Sequence, residues 1–178
     1  HAGYMMMALP LMSSSSIEGV MMYLIMYLFM NLGAFLVVIY VNDQIGGEEF
    51  SHFDGLGWKM PLIGITMTLF MVALTGLPPT AGFVGKFYIF AAVIEAGSKF
   101  YWLAFVGAIN SVISLYYYIR VVKHMYLSGE RSDEIINPSS KLIIALLLVL
   151  AIPSFIFGWY FSPVAEWISQ STILFHGM

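Results

Sequence analysis

The chain has 178 residues and a formal net charge of −3, and it is 60% hydrophobic but only 10% charged. Soluble domains carry about 25% charged residues, so the composition excludes an ordinary soluble fold and reads as an all-α, polytopic membrane helical bundle held in a lipid bilayer. The small net charge gives nucleic acid no footing as a partner, and the lack of cysteine rules out a disulfide, a thiolate zinc site or an iron–sulfur cluster built from this chain.

The first residues, His1-Ala2-Gly3-Tyr4, already read as helix, with no initiator Met and no signal-peptide pattern. The expectation is a single membrane domain, 1–178, forming the C-terminal portion of something longer. A partial helix over about 1–12 ends at Pro10 and the Ser13–Ser16 run. Ser16 is a candidate cap for the next helix, with Glu18 in its first turn. That helix, over about 17–41, is long enough to cross about 30 Å of hydrocarbon, and Gly33-Ala34 within it favours close helix packing. A polar loop follows from Asn42 to Gly57.

The apolar run over 60–97 covers roughly 57 Å as a helix, far too long for one straight span. It is interrupted at Gly76-Leu77-Pro78-Pro79-Thr80-Ala81-Gly82. In one reading Pro78-Pro79 is an aqueous turn between two spans, the second of which would be only about 22 Å long. In the other, the segment is a single transmembrane helix broken near 76–82, with Gly76, Pro78, Pro79 and Gly82 forming the break. Length favours the broken helix. Backbone released from the helical ladder at that depth is tolerated only where protein or water satisfies it.

After the short turn Ser98-Lys99, a span runs over about 100–126 and closes with Tyr116-Tyr117-Tyr118, Arg120, Lys123 and His124, an interfacial composition. A polar loop over 128–140 leads to a last span over about 141–161, then Pro163 and a short, mildly amphipathic tail. With the broken-helix topology, Lys59, Arg120, Lys123, Arg131 and Lys141 fall on one side and Lys99 on the other. The positive-inside rule then places the 42–59 and 128–140 loops in the cytoplasm, although the two-span alternative is also asymmetric.

From Met60 to Ala96 the only charged side chains are Lys86 and Glu95. A cation at bilayer depth costs at least ~2.5–3.5 kcal/mol. Snorkelling is the simple alternative, but the side chain reaches about 6 Å against some 16 Å to the far end of the segment at Gly97. A lysine poised between its charged and neutral forms can carry a proton, which makes Lys86 the leading candidate for proton transfer. Glu95 precedes Lys99 by four residues; an interfacial pair is its simpler reading and a proton exit the sharper one. His1 is either a relay or a satisfied core residue. Asn31, Asn110, Ser111 and Ser114 lie mid-span, where interhelical hydrogen bonds are their usual role. His52 and His176 read as surface residues and His124 as interfacial. The histidines lack metal-ligand spacing, so no metal is expected.

Four stretches together resemble a known family. Leu74-Thr75-Gly76-Leu77-Pro78-Pro79-Thr80-Ala81-Gly82-Phe83-Val84-Gly85-Lys86-Phe87 resembles a broken helix of the antiporter-like subunits of respiratory complex I. Asn31-Leu32-Gly33-Ala34-Phe35, Ser114-Leu115-Tyr116-Tyr117-Tyr118-Ile119-Arg120 and His1-Ala2-Gly3-Tyr4 are similar to the subunit N family of bacterial NADH–quinone oxidoreductase. The resemblance implies the second half of an antiporter-like fold built from inverted repeats. It places Lys86 on the family's proton-path lysine and His1 on a histidine of the polar axis. A lysine there argues against the M-type subunit, and a chain ending soon after its last span argues against the L-type.

The implied function is proton translocation coupled to electron transfer from NADH to quinone in a bacterial plasma (inner) membrane. The chain would act as a subunit of that enzyme with no redox centre of its own. NADH, FMN, iron–sulfur clusters and quinone are expected on partner subunits, and the other membrane subunits of the complex are the expected partners. A cation/proton antiporter subunit and a purely structural membrane module are the alternatives.

Overall fold

The computed structural model describes residues 1–129, 136 and 140–176, the last four of these by backbone alone. The described residues contain no strand. The helices are α1 (Ala2–Ala8), α2 (Ser14–Ile45), α3 (Leu56–Lys59), α4 (Pro61–Thr75), α5 (Ala81–Glu95), α6 (Tyr101–Leu127), α7 (Lys141–Ile156) and α8 (Ser162–His176). Short 3-10 turns lie at Leu9–Leu11, Phe50–Phe53 and Ser98–Phe100.

Helix α2 is the spine of the bundle. Its N-cap is Ser13, not the expected Ser16: the Ser13 hydroxyl accepts from the Ser16 N–H at 3.1 Å, and the Ser13 N–H donates to the Ser16 hydroxyl at 3.1 Å. Either serine can cap in sequence, but only Ser13 has extended backbone. Glu18 therefore lies beyond the first turn. The helix also runs past Val41 through Asn42-Asp43-Gln44, where the polar composition predicts a loop, and stops at Gly46 in left-handed conformation. At 1.5 Å per residue α2 is about 48 Å long, so its polar end extends beyond the hydrocarbon. Ser13→Ala is expected to destabilise this end by about 1 kcal/mol, read as a small drop in thermal midpoint.

Helices α4 and α5 lie end to end along α2. Ascending α2, Gly19 faces the backbone of Tyr88 and Ile89, Tyr23 packs on Gly85, Met30 lies beside Gly82, and Gly33 receives the Phe70 ring. Sequence numbers fall steadily along the partner as they rise along α2. Two helices in line, antiparallel to α2 and separated by residues 76–80, produce that order. Gly82, read as part of the break, instead belongs to the first turn of α5. The core of this seam is Met22, Met26, Met30, Val37, Ile63, Phe70 and Ala73, all fully buried. In lipid such packing draws on van der Waals contact and close approach, not on exclusion of water.

The remaining elements set the two ends. Phe50–Lys59 and α4 meet at 118° across Met60, with Pro61 in the first turn of α4, where its missing N–H costs nothing. This corner ties to the end of α6 through His124 Nδ1 and Asp54 Oδ1 at 2.6 Å, and through the Trp58 indole donating to the Tyr126 carbonyl at 3.0 Å. It gathers Lys59, Arg120 and Lys123 at one end of the bundle; Arg131 lies outside the described residues. Helices α2 and Ser98–Leu127 are each long and apolar enough to cross a membrane.

Helix α7 stops at Ile156, five residues before the expected end. The segment read as a tail forms α8, with Pro163 at its second position. Its Ile168 and Thr172 are buried, and the Thr172 hydroxyl donates to Glu18 at 3.1 Å. An amphipathic stretch needs only one neighbour to become a docked helix, and α2 supplies it.

Candidate functional site

The break between α4 and α5 builds the site. A helix leaves its last carbonyls without intrahelical partners, and Thr75 is the last residue of α4. Gly76 turns the chain at φ 82°, and Pro78-Pro79, joined by a cis peptide bond, carry it to Thr80. Lys86 lies in the second turn of α5 and points back across this gap. Its ammonium donates to the Thr75 carbonyl at 2.7 Å and to the Ser111 hydroxyl of α6 at 3.0 Å. The ring of Tyr4, on α1, covers the third side, with its centroid 4.7 Å from Nζ.

Three donors therefore meet a carbonyl, a hydroxyl and an aromatic face. Lys86 is only 5% exposed, and among the described residues no carboxylate lies within ion-pair distance of it. The negative end of the α4 dipole adds to this neutral cage, since Thr75 O is part of it. That contribution of α4 depends on how the two half-helices meet.

Gly76 and Gly82 keep the gap closed. A Cβ on Gly76 would lie 2.7 Å from Lys86 Cδ, and one on Gly82 would run into the Ala73 carbonyl oxygen. Gly158, in the turn after α7, is pressed in the same way on the Pro79 carbonyl. These contacts close the inner side of the break, while Leu77 and Pro78 remain exposed.

His1 stands next to this cage. Its Nδ1 is hydrogen-bonded to the Tyr23 hydroxyl, and its Nε2 to the Tyr118 hydroxyl at 2.7 Å. The imidazole stacks on Tyr27 with centroids 4.9 Å apart. Tyr4 is shared, its ring centroid 6.3 Å from that of His1, and its hydroxyl donates to the Gly107 carbonyl at 3.3 Å. A cavity of about 350 Å³ opens beside the group, lined by His1, Tyr4, Gly107 and Asn110 among others.

The structure brings Lys86, His1, Gly76 and Ser111 into one neighbourhood and leaves Glu95 outside it. Glu95 is exposed at the last residue of α5, and no ion pair joins it to Lys99. Asn110 and Ser114 bond carbonyls of their own helix, Val106 and Ser111, instead of bridging helices. Of the mid-span polar residues, Ser111 makes the interhelical contact. His52 is half-buried against Gly47, with Nδ1 unpartnered, and is not a free surface residue. The His176 side chain lies outside the described residues.

Tyr4, Tyr23 and the Thr75 carbonyl escaped the sequence reading, and Tyr118 was assigned to the interface with its neighbours. Tyr116 and Tyr117 are indeed exposed, at 68% and 60%, while Tyr118 turns inward. The available signal was Tyr23 and Tyr27 at i,i+4 in mid-span, away from the interfacial belts where tyrosine gathers.

Comparison with known proteins converges on one group. Residues 1–114 match the family model described as NADH:quinone oxidoreductase/Mrp antiporter, TM. NADH-quinone oxidoreductase subunit N 2 of Sorangium cellulosum is 45% identical over 96% of this chain, and its counterpart in Chloroherpeton thalassium is 38% identical over 96%. Subunit N of an Anaeromyxobacter species is 39% identical over 99%. These matches take in 34% to 35% of the relatives' lengths, so the chain spans about a third of each. A chain of respiratory complex I from Thermus thermophilus superposes with a TM-score of 0.75 at 27% identity, covering 93% of this chain and 37% of that one. With the family model covering well over half its length, the chain belongs to the transmembrane family of NADH:quinone oxidoreductases and Mrp antiporters.

Proposed function

We propose that the chain is part of subunit N of a bacterial NADH–quinone oxidoreductase and moves protons across the plasma membrane as electrons pass from NADH to quinone elsewhere in the complex. The carrying observation is Lys86: a buried amine at a helix break that, among the described residues, is held by neutral groups. Such a cage accommodates both protonation states without breaking an ion pair. In the ammonium form Nζ donates to Thr75 O and Ser111 Oγ; in the amine form it keeps a lone pair to accept from the Ser111 hydroxyl, which can rotate. A change of charge in neighbouring elements can therefore shift the proton on Lys86 at little structural cost.

In this reading iron–sulfur clusters, flavin and quinone reside on partner subunits, the chain having no cysteine to hold a cluster. The end carrying Lys59, Arg120 and Lys123 faces the cytoplasm. Glu95 ends α5 on the opposite side, where a released proton leaves that half-helix.

The identities of 38–45% to subunit N favour the oxidoreductase over a stand-alone cation/proton antiporter. The test is NADH-driven proton pumping by the intact complex carrying Lys86→Ala, reconstituted in vesicles. Normal pumping by the assembled variant would sink the reading.

A further inference from the structure

We propose that α7 and α8 form a second interrupted membrane crossing whose turn, with Gly158 as its positioning residue, fixes the 76–80 break and so the spacing between Lys86 and the Thr75 carbonyl. The proposal rests on the proton-translocation reading above and gives a role in it to a part of the chain remote from Lys86 in sequence.

Neither helix crosses by itself. Helix α7 has 16 residues and α8 has 15, about 24 and 22 Å against some 30 Å of hydrocarbon. Yet the two follow one line along α2. The Phe157 ring meets Phe29 edge-on, with centroids 5.8 Å apart. Ala165, Ile168 and Ser169 share a cavity of about 290 Å³ with Met22 and Glu18, and Thr172 donates to Glu18. Numbers rise along α7 and α8 as they fall along α2, the order already seen for α4 and α5. The turn between them satisfies its own backbone, as membrane depth requires. The Gly158 and Tyr160 N–H groups donate to the Phe155 and Ile156 carbonyls at 3.1 and 2.8 Å. The Phe161 carbonyl accepts from the Val164 and Ala165 N–H groups, both at 3.0 Å.

The two interruptions lie at one level of the bundle. Met30 of α2 is beside Gly82, just past the first, and its neighbour Phe29 touches Phe157, at the start of the second. There the backbones meet. A Cβ on Gly158 would run into the Pro79 carbonyl and come within 2.7 Å of Thr80 Cα. Phe161, at the far end of the turn, packs edge-on against Tyr88 of α5 with centroids 6.1 Å apart. The turn thus bears on the connector and on α5 together.

From that contact to the amine the path is short. The Thr80 N–H and hydroxyl both donate to the Leu77 carbonyl, at 3.1 and 2.7 Å, so residues 77–80 move as one piece. One end of this piece joins Gly76 and Thr75, whose carbonyl accepts from Lys86 at 2.7 Å. The other end starts α5, which carries Lys86. Leu77 and Pro78 are exposed, so the connector yields outward when pushed from Pro79. Such a push changes the distance between the ammonium and its acceptor.

The experiment uses the intact complex in vesicles carrying Gly158→Ala, Lys86→Ala or both, with pumping expressed per assembled complex. Gly158→Ala is expected to lower NADH-driven pumping about tenfold, within what a misplacement of ~1 Å costs. The pH midpoint of pumping should shift as well, because spacing to the Thr75 carbonyl sets how well the ammonium is held; loss of assembled complex does not move it. The double variant should pump no less than Lys86→Ala alone, since both act on one group. Wild-type pumping and an unmoved midpoint in assembled Gly158→Ala, with Lys86→Ala defective, would overturn the positioning role and leave the lysine reading intact. Normal pumping by Lys86→Ala would instead defeat the lysine reading. Should Gly158→Ala fail to assemble, Phe157→Leu and Phe161→Leu loosen the turn without pushing it; the same pH shift supports the proposal, and an unmoved profile in both refutes it. The chain has no cysteine, so Trp159→Cys reports the depth of the turn. It should resist a membrane-impermeant thiol reagent from both faces, and labelling from either face rules out the second crossing.

Discussion

Lys86→Ala is expected to lower proton translocation coupled to this subunit by about two orders of magnitude, the low end of what a positioned proton-transfer group contributes, while the complex still assembles. Assembly survives because the partners Lys86 leaves behind satisfy each other: the Ser111 hydroxyl already lies 3.4 Å from the Thr75 carbonyl. Among the described residues no carboxylate pairs with Lys86, so none of them is stranded by its loss. Lys86→Met, nearer in volume, should assemble better still and pump no better.

The informative companion is Lys86→Arg. Guanidinium keeps the positive charge but does not release its proton at accessible pH. If the charge alone mattered, arginine would preserve pumping; if the proton matters, arginine fails with alanine. Pumping and NADH oxidation measured on the same vesicles give the comparison directly. Retention of pumping by Lys86→Arg would convert Lys86 from a proton carrier into a fixed electrostatic element.

Gly82→Val is expected to prevent assembly. Its Cβ would occupy the space of the Ala73 carbonyl oxygen, a backbone atom in the last turns of α4 that cannot swing aside. Overpacking of this kind costs about 3 kcal/mol or more, a large part of the stability of an ordinary domain. The consequence goes beyond stability, because any shift that relieves the clash draws α5 away from α4 and pulls Lys86 off Thr75. Gly82→Ala should show the same defect in milder form. Gly3→Ala, facing open space, serves as the assembly control. Wild-type levels of assembled complex with Gly82→Val would mean that the two half-helices do not meet as closely as described.

Several features of the site could be read directly along the chain. The apolar run over 60–97 exceeds any single span by simple length, the Gly-Pro-Pro-Gly punctuation marks where it breaks, and a lone lysine just beyond stands out because lipid makes charge expensive. These are local properties, counted in residues. Other features were not readable for identifiable reasons. Ser13 and Ser16 both suit a cap, and the choice depends on where the backbone leaves the extended region. Pro163 reads equally as the end of one helix and the start of another, and the docking of α8 on α2 through Thr172 and Glu18 decides for the start.

The amino-acid sequence by itself determined that this is a helical membrane protein, that the apolar run over 60–97 is interrupted at Pro78-Pro79, and that Lys86 follows the interruption. Each follows from composition, length or residue chemistry within a few turns. Only the tertiary structure decided what surrounds the amine. Thr75, Tyr4 and Ser111 come from three different helices, separated from Lys86 by 11 to 82 residues in sequence, and they meet it because α4 and α5 lie end to end along α2 with α1 and α6 on the same side. The same packing turned Tyr118 inward to His1, 117 residues away, while its neighbours faced outward. A helical period tells which residues share a face; which faces meet is settled by long-range contacts, and the cage around Lys86 lies where they do.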